Sequence, residues 1–392
     1  MEIDDLLRLA VKKNASDIHV KVGLPPILRI NGQLKSVGSA SPFTQDEIDR
    51  FAQKLMTDEH RKKLAELQDV DMGYGVPGLG RFRINIFQQR GTIGISIRSI
   101  PFKVQTLEEL NLPPVLEKIA METRGLILVT GTTGSGKSTT LASMIDLINA
   151  KRNLHIITIE DPIEYLHRDK KCIIDQREIG VDTESFAQAL RSSLRQDPDV
   201  ILVGEMRDFE TIDIAMTAAE TGHLVLSTLH TVDATETVMR IVSMYPPYQQ
   251  KQVRLQLAAI LKGVISQRLI PMADGKGRVP AVEVLVNTAH IRECIIDRDR
   301  AKEIREAISK GYHTYGMQTF DQSLMDLLQR KMITYETALR NSSNPDDFAL
   351  RVKGIMASSD TTWDAFEGKS DEEEGSEEDV AMFTPTWERG SV

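Results

Sequence analysis

The segment "GTTGSGKST", residues 131–139, constrains the fold more than any other part of the chain. It satisfies the pattern GxxxxGK[ST], directly follows the apolar segment "GLILVT" and precedes the helical pattern "KSTTLASMIDLI". In such a strand–loop–helix unit, backbone N–H groups of the glycine-rich turn hold phosphate oxygens at the start of a helix. Because the matching strand and helix are both present, we predict a nucleotide phosphate site rather than a turn without a ligand.

Two side chains of this phosphate loop have specific expected roles. Lys137 would reach the β- and γ-phosphate oxygens, and Ser138 would give its hydroxyl to Mg²⁺, so the predicted cofactors are ATP and Mg²⁺. The predicted nucleotide-binding residues are Gly131, Thr132, Thr133, Gly134, Ser135, Gly136, Lys137, Ser138 and Thr139.

Beyond about residue 115, short apolar segments alternate with helical patterns. The segments are "GLILVTG", "HIITIED", "VILVGE" and "HLVLSTL". Fully apolar strands separated by helices indicate an α/β fold with a mostly parallel sheet that is covered on both faces. After about residue 245, "YQQKQVRLQLAAILKGVISQRL" and "TFDQSLMDLLQRK" predict a helical C-terminal part.

The first 100 residues have a different pattern. An amphipathic start, "IDDLLRLAVKK", is followed by segments of period-two alternation such as "GRFRINIFQQR" and "IGISIRSI", which predict a small α+β domain. At 392 residues the chain is long enough for two domains. We predict domains at 1–100 and 115–355, a proline-containing linker at 101–114, and a disordered tail at 356–392.

Charge and hydropathy exclude several classes of protein. From Asp360 onward the chain carries eleven acidic residues against Lys369 and Arg389, a net charge of −9 that equals the charge of the whole chain. Since no long basic face is visible, the pattern argues against nucleic-acid binding. Apolar runs are too short to cross a bilayer, and the N-terminus lacks the basic region of a signal peptide. We therefore expect a cytoplasmic protein that reaches the membrane only through a partner.

The two cysteines, Cys172 and Cys294, lie far apart in apolar surroundings. No CxxC spacing of the zinc-binding type is present. Buried small side chains are therefore the expected role, rather than a disulfide or a zinc site.

Carboxylates follow two of the predicted strands. In "DVILVGEMRD" the position where most P-loop proteins place an aspartate that helps to hold Mg²⁺ is Gly204, and the first carboxylate is Glu205. In "TIEDPIEY", Asp161 before Pro162 suits a helix N-cap, which leaves Glu160 at the end of an apolar strand unexplained. We predict that Glu160 contacts Mg²⁺ or its water shell, and that Glu205 positions or deprotonates the attacking water.

Two histidines, His223 and His230, bracket the next strand in "ETGHLVLSTLHT". A structural role is common for a histidine at a strand end. Their position one strand away from the carboxylates favours a γ-phosphate sensor, for which Thr228 and Thr231 are further candidates.

Two arginines in "ESFAQALRSSLRQDPDV", Arg191 and Arg195, are spaced i and i+4, as on one helix face. They could form a solvated basic face. Alternatively, they contact phosphate across a subunit boundary, where an arginine acting in trans stabilises developing charge.

Four blocks in this order, "GTTGSGKSTT", "TIEDPIEY", "LRQDPDVILVGEMRD" and "TAAETGHLVLSTLHT", resemble the secretion-type ATPases of type II secretion and type IV pili. Within these, the chain resembles the PilT/PilU family of pilus retraction ATPases. The resemblance implies an N-terminal PAS-like domain and a RecA-like domain, assembled into a homo-hexamer. It also implies that Arg83 and Arg98 form an N-domain arginine pair, and that Arg191 and Arg195 precede the catalytic carboxylate Glu205.

Two features indicate which members of the family the chain resembles most. The tetracysteine zinc insertion common in pilus extension ATPases is missing from the sequence, and the "AIRNLIRE"-like helix of PilT-type enzymes is replaced by "HIRECIID", residues 290–297. The resemblance is therefore closer to the accessory paralogue PilU. It implies a hexameric motor that supports pilus retraction and twitching together with a PilT-type retraction ATPase and an inner-membrane platform protein at the pilus base. The alternatives are a protein that joins another motor and needs ATP mainly for assembly, and a nucleic-acid translocase.

Overall fold

The computed structural model describes residues 2–30, 32–38, 40–100 and 104–354. The predicted acidic tail, 356–392, lies outside the described residues. The chain divides into two compact units. Unit one comprises Met1–Val104, Ile157–Asp169 and Ile174–Ala189, and unit two comprises Gln105–Ile156, Lys170–Ile173 and Leu190–Val392. The predicted domain boundaries stay a prediction.

The N-terminal part of unit one is an α+β arrangement around an antiparallel sheet. Its elements are α1 (Ile3–Lys12), β1 (Asp17–Lys21), β2 (Ile27–Ile30), β3 (Gln33–Ser36), α2 (Gln45–Leu55), α3 (Asp58–Leu67), β4 (Asp69–Val76), β5 (Gly80–Gln89) and β6 (Thr92–Ile100). The strands follow the order β3-β2-β1-β6-β5-β4, and each neighbouring pair is antiparallel.

The long hairpin of β5 and β6 shows why this sequence forms strands. Alternate residues of both strands, Ile84, Ile86, Ile95 and Ile97, are fully or almost fully buried in one core. Arg90 and Gly91 form a two-residue connection with φ values of 49° and 77°. Two successive positive φ angles suit the right-handed twist of a hairpin, and glycine adopts the second without strain.

The rest of the chain alternates strands and helices and then becomes mostly helical. The elements are α4 (Val115–Ala120), β7 (Gly125–Thr130), α5 (Lys137–Lys151), β8 (His155–Glu160), β9 (Ile173–Glu178), α6 (Phe186–Ser193), β10 (Val200–Val203), α7 (Phe209–Glu220), β11 (Leu224–Leu229), α8 (Ala234–Ser243), α9 (Gln250–Ile260), β12 (Leu261–Pro271), β13 (Arg278–Val286), α10 (Ala289–Ile296), a 3₁₀ turn (Ala301–Glu303), α11 (Ile304–Lys310), α12 (Tyr312–Tyr315), α13 (Phe320–Gln329), α14 (Tyr335–Asn341) and α15 (Pro345–Val352).

Within unit two, the strands follow the order β13-β12-β7-β11-β10. The pairs β12–β7, β7–β11 and β11–β10 are parallel, and β13 pairs antiparallel with β12. Every residue of β7, β10 and β11 is buried, as expected for strands covered on both faces. The predicted fold class, an α+β N-terminal part with a mostly parallel α/β sheet and a helical C-terminal part, is confirmed.

One predicted helical segment is wrong. The segment "YQQKQVRLQLAAILKGVISQRL" is helical only until Ile260, where α9 ends and β12 begins. In β12, Val264 and Ile265 are fully buried beside β7, and a Cβ added at Gly263 would lie 3.1 Å from the carbonyl oxygen of Leu285. A continuously buried strand has no polar face, so its apolar spacing could not be distinguished from that of a buried helix.

The N-cap explanation for Asp161 is also wrong. None of residues 161–172 is helical, and the Asp161–Pro162 peptide is cis. An Asp-Pro step is as typical of a turn as of a helix start, and here it lies in a bend.

The expected burial of both cysteines is confirmed, since Cys172 and Cys294 are buried and free. Among the described helices, none has the length and apolar character needed to span a membrane.

Candidate nucleotide site

Three adjacent parallel strands bring three loops to one edge of the sheet in unit two. Strand β11 lies between β7 and β10 and runs parallel to both. The chain leaves β7 at Gly131, β10 at Gly204 and β11 at His230. Ligands of open α/β sheets bind at the carboxyl ends of the strands. The phosphate loop, Glu205 and His230 therefore lie at the edge where a nucleotide would bind.

Backbone geometry explains the glycines of the phosphate loop. Gly131, Gly134 and Gly136 have φ values of 141°, 78° and 94°, which side-chain-bearing residues rarely adopt. A Cβ atom at Gly131 would in addition overlap the backbone oxygen of Gln267 on β12. Helix α5 begins at Lys137, so its first N–H groups face the loop.

Lys137 makes hydrogen bonds to the backbone of the phosphate loop itself. Its Nζ donates to the carbonyl oxygens of Gly131 and Thr132, each at 3.0 Å, and the residue is 9% exposed. The hydroxyl of Ser135 is buried without a hydrogen-bond partner among the described residues. A buried unpaired hydroxyl and an ammonium group held by loop carbonyls fit a site that receives phosphate oxygens.

Glu205 lies between two basic side chains. Its Oε2 is 2.7 Å from Arg207 Nε and 3.5 Å from His230 Nε2, and its side chain is 15% exposed. Two hydrogen bonds join the backbone here to β11. Thr228 Oγ1 donates to the carbonyl of Gly204 at 2.7 Å, and the N–H of Met206 donates to the carbonyl of Thr228 at 3.2 Å. The carboxylate is therefore held at a fixed position beside the phosphate-loop edge.

The two histidines that bracket β11 lie at opposite ends of that strand. His223 precedes its first residue, and His223 Nδ1 is 2.9 Å from the carbonyl oxygen of Ala218. Six residues of strand span about 20 Å, so the γ-phosphate role predicted for His223 is wrong. The direction of β11 determines which histidine lies near the phosphate loop, because only the carboxyl end of a parallel strand meets that loop.

The threonine candidates have structural contacts. Thr228 holds Gly204, as described above, and Thr231 Oγ1 is 2.7 Å from Thr237 Oγ1, where both side chains are buried.

The two arginines before β10 do not share a helix face. Helix α6 ends at Ser193, so Arg195 lies in the turn that follows it, and the prediction of one face is wrong. Arg191 pairs with Glu210, and Arg195 Nη1 donates to the carbonyl of Arg191 at 3.2 Å. Both contacts are on the exposed surface. The predicted contact with phosphate across a subunit boundary stays a prediction.

Glu160 ends β8 among neutral hydrogen-bond donors. Thr158 Oγ1 and Gln176 Nε2 donate to its Oε1 at 2.6 and 3.1 Å, and the N–H of Glu164 donates to Oε2 at 3.4 Å. Burial raises the pKa of the Glu160 carboxyl, and these hydrogen bonds offset the rise only in part. A nearby cation would favour the ionised form. The predicted contact of Glu160 with Mg²⁺ stays a prediction.

Arg83 and Arg98 are register partners on β5 and β6, on the exposed face of the unit-one sheet. Arg98 Nε is 2.9 Å from Asp17 Oδ1, and Arg83 Nε is 3.6 Å from Asp71 Oδ1. Burial acts to raise the pKa of Asp17, but hydrogen bonds from Arg98 and Ser16 outweigh it and lower that pKa. The structure thus presents two neighbouring guanidinium groups to solvent.

Comparison with known proteins identifies the family. The family model of type II/IV secretion system proteins matches residues 1–340. The type IV pilus retraction ATPase PilT of Pseudomonas aeruginosa is 45% identical over 348 residues, which cover 89% of this chain and 100% of PilT. The chain belongs to the PilT/PilU-type ATPases of this family. The type IV pilus ATPase PilU of the same organism is 41% identical over 353 residues, covering 90% of this chain and 92% of PilU.

Solved structures agree with this family. A crystal structure of the pilus retraction motor PilT with bound ADP matches with a TM-score of 0.80 and 46% identity, covering 88% of this chain and 98% of that one. The Legionella pneumophila ATPase DotB matches with a TM-score of 0.74 and 28% identity, covering 90% and 96% of the two chains.

In this PilT/PilU-type chain, the structure shows two sets of contacts that the sequence reasoning missed. Arg207 contacts Glu205. This contact could have been predicted from the sequence, because both residues lie within "GEMRD". Arg81 Nη2 donates to Glu178 Oε2 at 2.9 Å, with the two side chains 21% and 4% exposed. Glu178 also accepts the N–H of Ile163 at 3.2 Å. This buried pair joins β5 to the segment that follows Glu160, and no local pattern could have revealed it.

Proposed function

We propose that this chain is an ATP-hydrolysing motor subunit of a type IV pilus machine, which supports pilus retraction and twitching. The observation that carries the proposal is the meeting of the phosphate loop, Glu205 and His230 at the carboxyl edge of three adjacent parallel strands. The occurrence of bound ADP in the structure of the similar motor PilT supports nucleotide binding.

In the proposed reaction, the chain binds ATP through the N–H groups of the loop and through Lys137, which leaves the carbonyls of Gly131 and Thr132 to reach phosphate oxygens. Ser138 and Glu160 are the proposed ligands of Mg²⁺, directly or through water. The ion would neutralise charge on the β- and γ-phosphate oxygens.

Glu205 orients the attacking water and takes its proton as the bond between the water oxygen and the γ-phosphorus forms. The bond from that phosphorus to the bridging oxygen breaks, and the electron pair leaves with ADP. His230, whose Nε2 is 3.5 Å from Glu205 Oε2, is the proposed donor to a γ-phosphate oxygen. In this proposal the carboxylate acts on the water and the histidine acts on the phosphate.

A hexameric ring is the proposed assembly. In it, the exposed guanidinium groups of Arg83 and Arg98, and those of Arg191 and Arg195, would contact the nucleotide of a neighbouring subunit and stabilise charge in the transition state. Arg83 and Arg191 pair with exposed carboxylates, and exposed ion pairs are weak enough to exchange for phosphate.

We further propose a PilU-type accessory role, with a PilT-type retraction ATPase and an inner-membrane platform protein as partners on the cytoplasmic side of the pilus base. Helix α10 supports it. Ile291 and Ile295 are fully buried, whereas Ile296 is 43% exposed at the position where the retraction motif has an arginine. Position 296 therefore departs from the retraction motif on the exposed side of α10.

The catalytic proposal is tested by Glu205→Gln. We expect the steady-state ATPase kcat to fall by about 100-fold or more, because the amide cannot accept the proton of the attacking water. Nucleotide binding, measured with a fluorescent ATP analogue, should be retained. Glu336→Gln, an exposed substitution on α14, is the matched control and should keep normal turnover. Unchanged turnover in Glu205→Gln would refute the assignment.

A second candidate is an independent retraction motor. Identity to PilT is 45% and identity to PilU is 41%, so the comparisons alone support both. Twitching in cells with and without the PilT-type paralogue separates the two. The accessory role requires that this chain alone does not drive full retraction, and full retraction by this chain alone would establish the independent motor.

A further inference from the structure

Three side chains with metal-binding atoms meet at the corner between α10 and the 3₁₀ turn. His290 and Cys294 lie one helical turn apart on α10, and Glu303 ends the 3₁₀ turn. One ligand atom from each residue lies within 4.8 Å of the other two, and Cys294 Sγ is 3.9 Å from His290 Nε2. Residues at i and i+4 project from the same helix face, as the paired histidines of helical zinc sites do.

These distances are close to those of a metal site. A tetrahedral zinc ion, with Zn–S of about 2.3 Å and Zn–N and Zn–O of about 2.0–2.2 Å, separates its ligand atoms by about 3.3–3.8 Å. The sulfur–nitrogen distance is already near this range, and the longest separation needs to shorten by about 1 Å, which a side-chain rotation supplies. Cys294 is fully buried and His290 is exposed, so a cation could enter from the solvent side.

We infer that this corner binds one zinc-class divalent cation through His290 Nε2, Cys294 Sγ and a Glu303 carboxylate oxygen, with water as the fourth ligand. A thiolate and an imidazole favour zinc, whereas Mg²⁺ prefers oxygen ligands throughout. The site is therefore chemically distinct from the Mg²⁺ site proposed for the nucleotide. The bound cation would fix α10, the helix that departs from the retraction motif, to the turn at 301–303.

Arg300 competes with the cation. Its Nε donates to Glu303 Oε2 at 3.0 Å, and its Nη2 lies 3.5 Å from His290 Nδ1. A guanidinium can only donate, so this contact requires Nδ1 without a proton, whereas a metal on Nε2 requires the proton to be on Nδ1. Arg300 also donates to Glu293 Oε2 at 3.1 Å, and it can keep that partner when the cation binds.

Cobalt(II) is the probe, because a cobalt–thiolate bond gives a near-ultraviolet charge-transfer band that oxygen ligands do not give. We expect metal-free full-length protein to develop this band on titration with Co²⁺ at a stoichiometry of one ion per chain, and equimolar Zn²⁺ to abolish it. Excess Mg²⁺ should leave it unchanged. The acidic residues after Asp360 do not interfere, because carboxylates produce no such band. Absence of the band in the unmodified protein would overturn the inference.

Variants identify the ligands. Cys294→Ser should remove the band, and Cys172→Ser, the matched control at the other buried cysteine, should keep it. His290→Gln, at an exposed position, should weaken Zn²⁺ binding at least tenfold. Arg300→Gln should tighten it, because the amide oxygen can accept the Nδ1 proton. A band that survives in Cys294→Ser or disappears in Cys172→Ser, normal affinity in His290→Gln, or unimproved affinity in Arg300→Gln would each overturn the assignment.

Discussion

Glu205 and Glu160 both lie at the carboxyl ends of apolar strands, yet their surroundings differ. Glu205 lies 2.7 Å from a guanidinium group and 3.5 Å from an imidazole. Glu160 contacts neutral donors, and burial raises its pKa. A carboxylate in contact with basic side chains is held in position by them, whereas a carboxyl whose pKa is raised by burial needs a cation before it ionises. The comparison therefore suggests two roles for one residue type, a base at Glu205 and a metal ligand at Glu160.

The largest expected effect concerns the pair that holds the segment after Glu160. Arg81→Met leaves Glu178 buried without its cation, which should destabilise this part of unit one by about 3 kcal/mol, the lower end for a broken buried ion pair because Arg81 is partly exposed. Exchange of the Ile163 amide proton, which Glu178 accepts, should become about 100-fold faster by mass spectrometry.

The matched control for Arg81→Met is Arg8→Met on the exposed face of α1, expected within about 0.5 kcal/mol of the unmodified protein. The double variant Arg81→Met with Glu178→Met should recover much of the loss, since an apolar pair of similar volume replaces a buried ion pair at little cost. Equal exchange rates of the Ile163 amide in Arg81→Met and Arg8→Met would show that the Arg81–Glu178 pair does not hold the segment after Glu160. The contrast between Glu160 and Glu205 would then be weaker.

The next effect tests Glu160 as a metal ligand. Glu160→Gln should raise the Mg²⁺ concentration for half-maximal ATPase turnover by about 10- to 100-fold, with kcat largely restored at saturating Mg²⁺. Glu205→Gln, in contrast, should not be rescued by Mg²⁺. Glu336→Gln, the exposed control on α14, should leave the Mg²⁺ requirement unchanged.

The raised pKa of Glu160 adds a dependence on pH. A carboxyl whose pKa is raised by folding stabilises the protein while it is protonated, and that stability is lost as the pH rises above its ordinary value. Mg²⁺ would relieve the loss. Its stabilising effect in thermal unfolding with ATP present should therefore grow as the pH rises above the ordinary pKa of a glutamate, and it should grow more steeply in the unmodified protein than in Glu160→Gln. Identical pH profiles for the two proteins would contradict the metal role.

The sequence predicted those parts of the site that depend on local order. A strand, a glycine-rich loop and a helix in succession specify one geometry, and carboxyl ends of parallel strands meet at one edge, so Glu205 and His230 could be placed beside the loop. His223 was misassigned because its distance from the loop depends on strand direction rather than on spacing. Strand β12 was missed because a buried strand and a buried helix have the same composition.

Contacts between distant residues could not be predicted. Arg81 and Glu178 are 97 positions apart, and nothing in either neighbourhood indicates the other. Glu303 joins His290 and Cys294 only because the chain turns back at 297–300, so a search for paired cysteines does not find this cluster.

The smallest expected effect concerns Arg207, whose contact distinguishes Glu205 from Glu160. In this conformation the pair occupies the carboxylate oxygen that the proposed reaction needs, so the ion pair must open before water can bind there. Arg207 is 72% exposed, and such a pair is worth up to about 1 kcal/mol. Arg207→Gln should therefore raise kcat by up to about fivefold at low ionic strength. Added salt screens the ion pair, so it should raise the kcat of the unmodified protein toward the kcat of the variant. Arg207→Lys, which keeps the charge, is the control. A fall in turnover in Arg207→Gln at every salt concentration would show instead that Arg207 contacts the nucleotide, and that this guanidinium serves the substrate rather than the base.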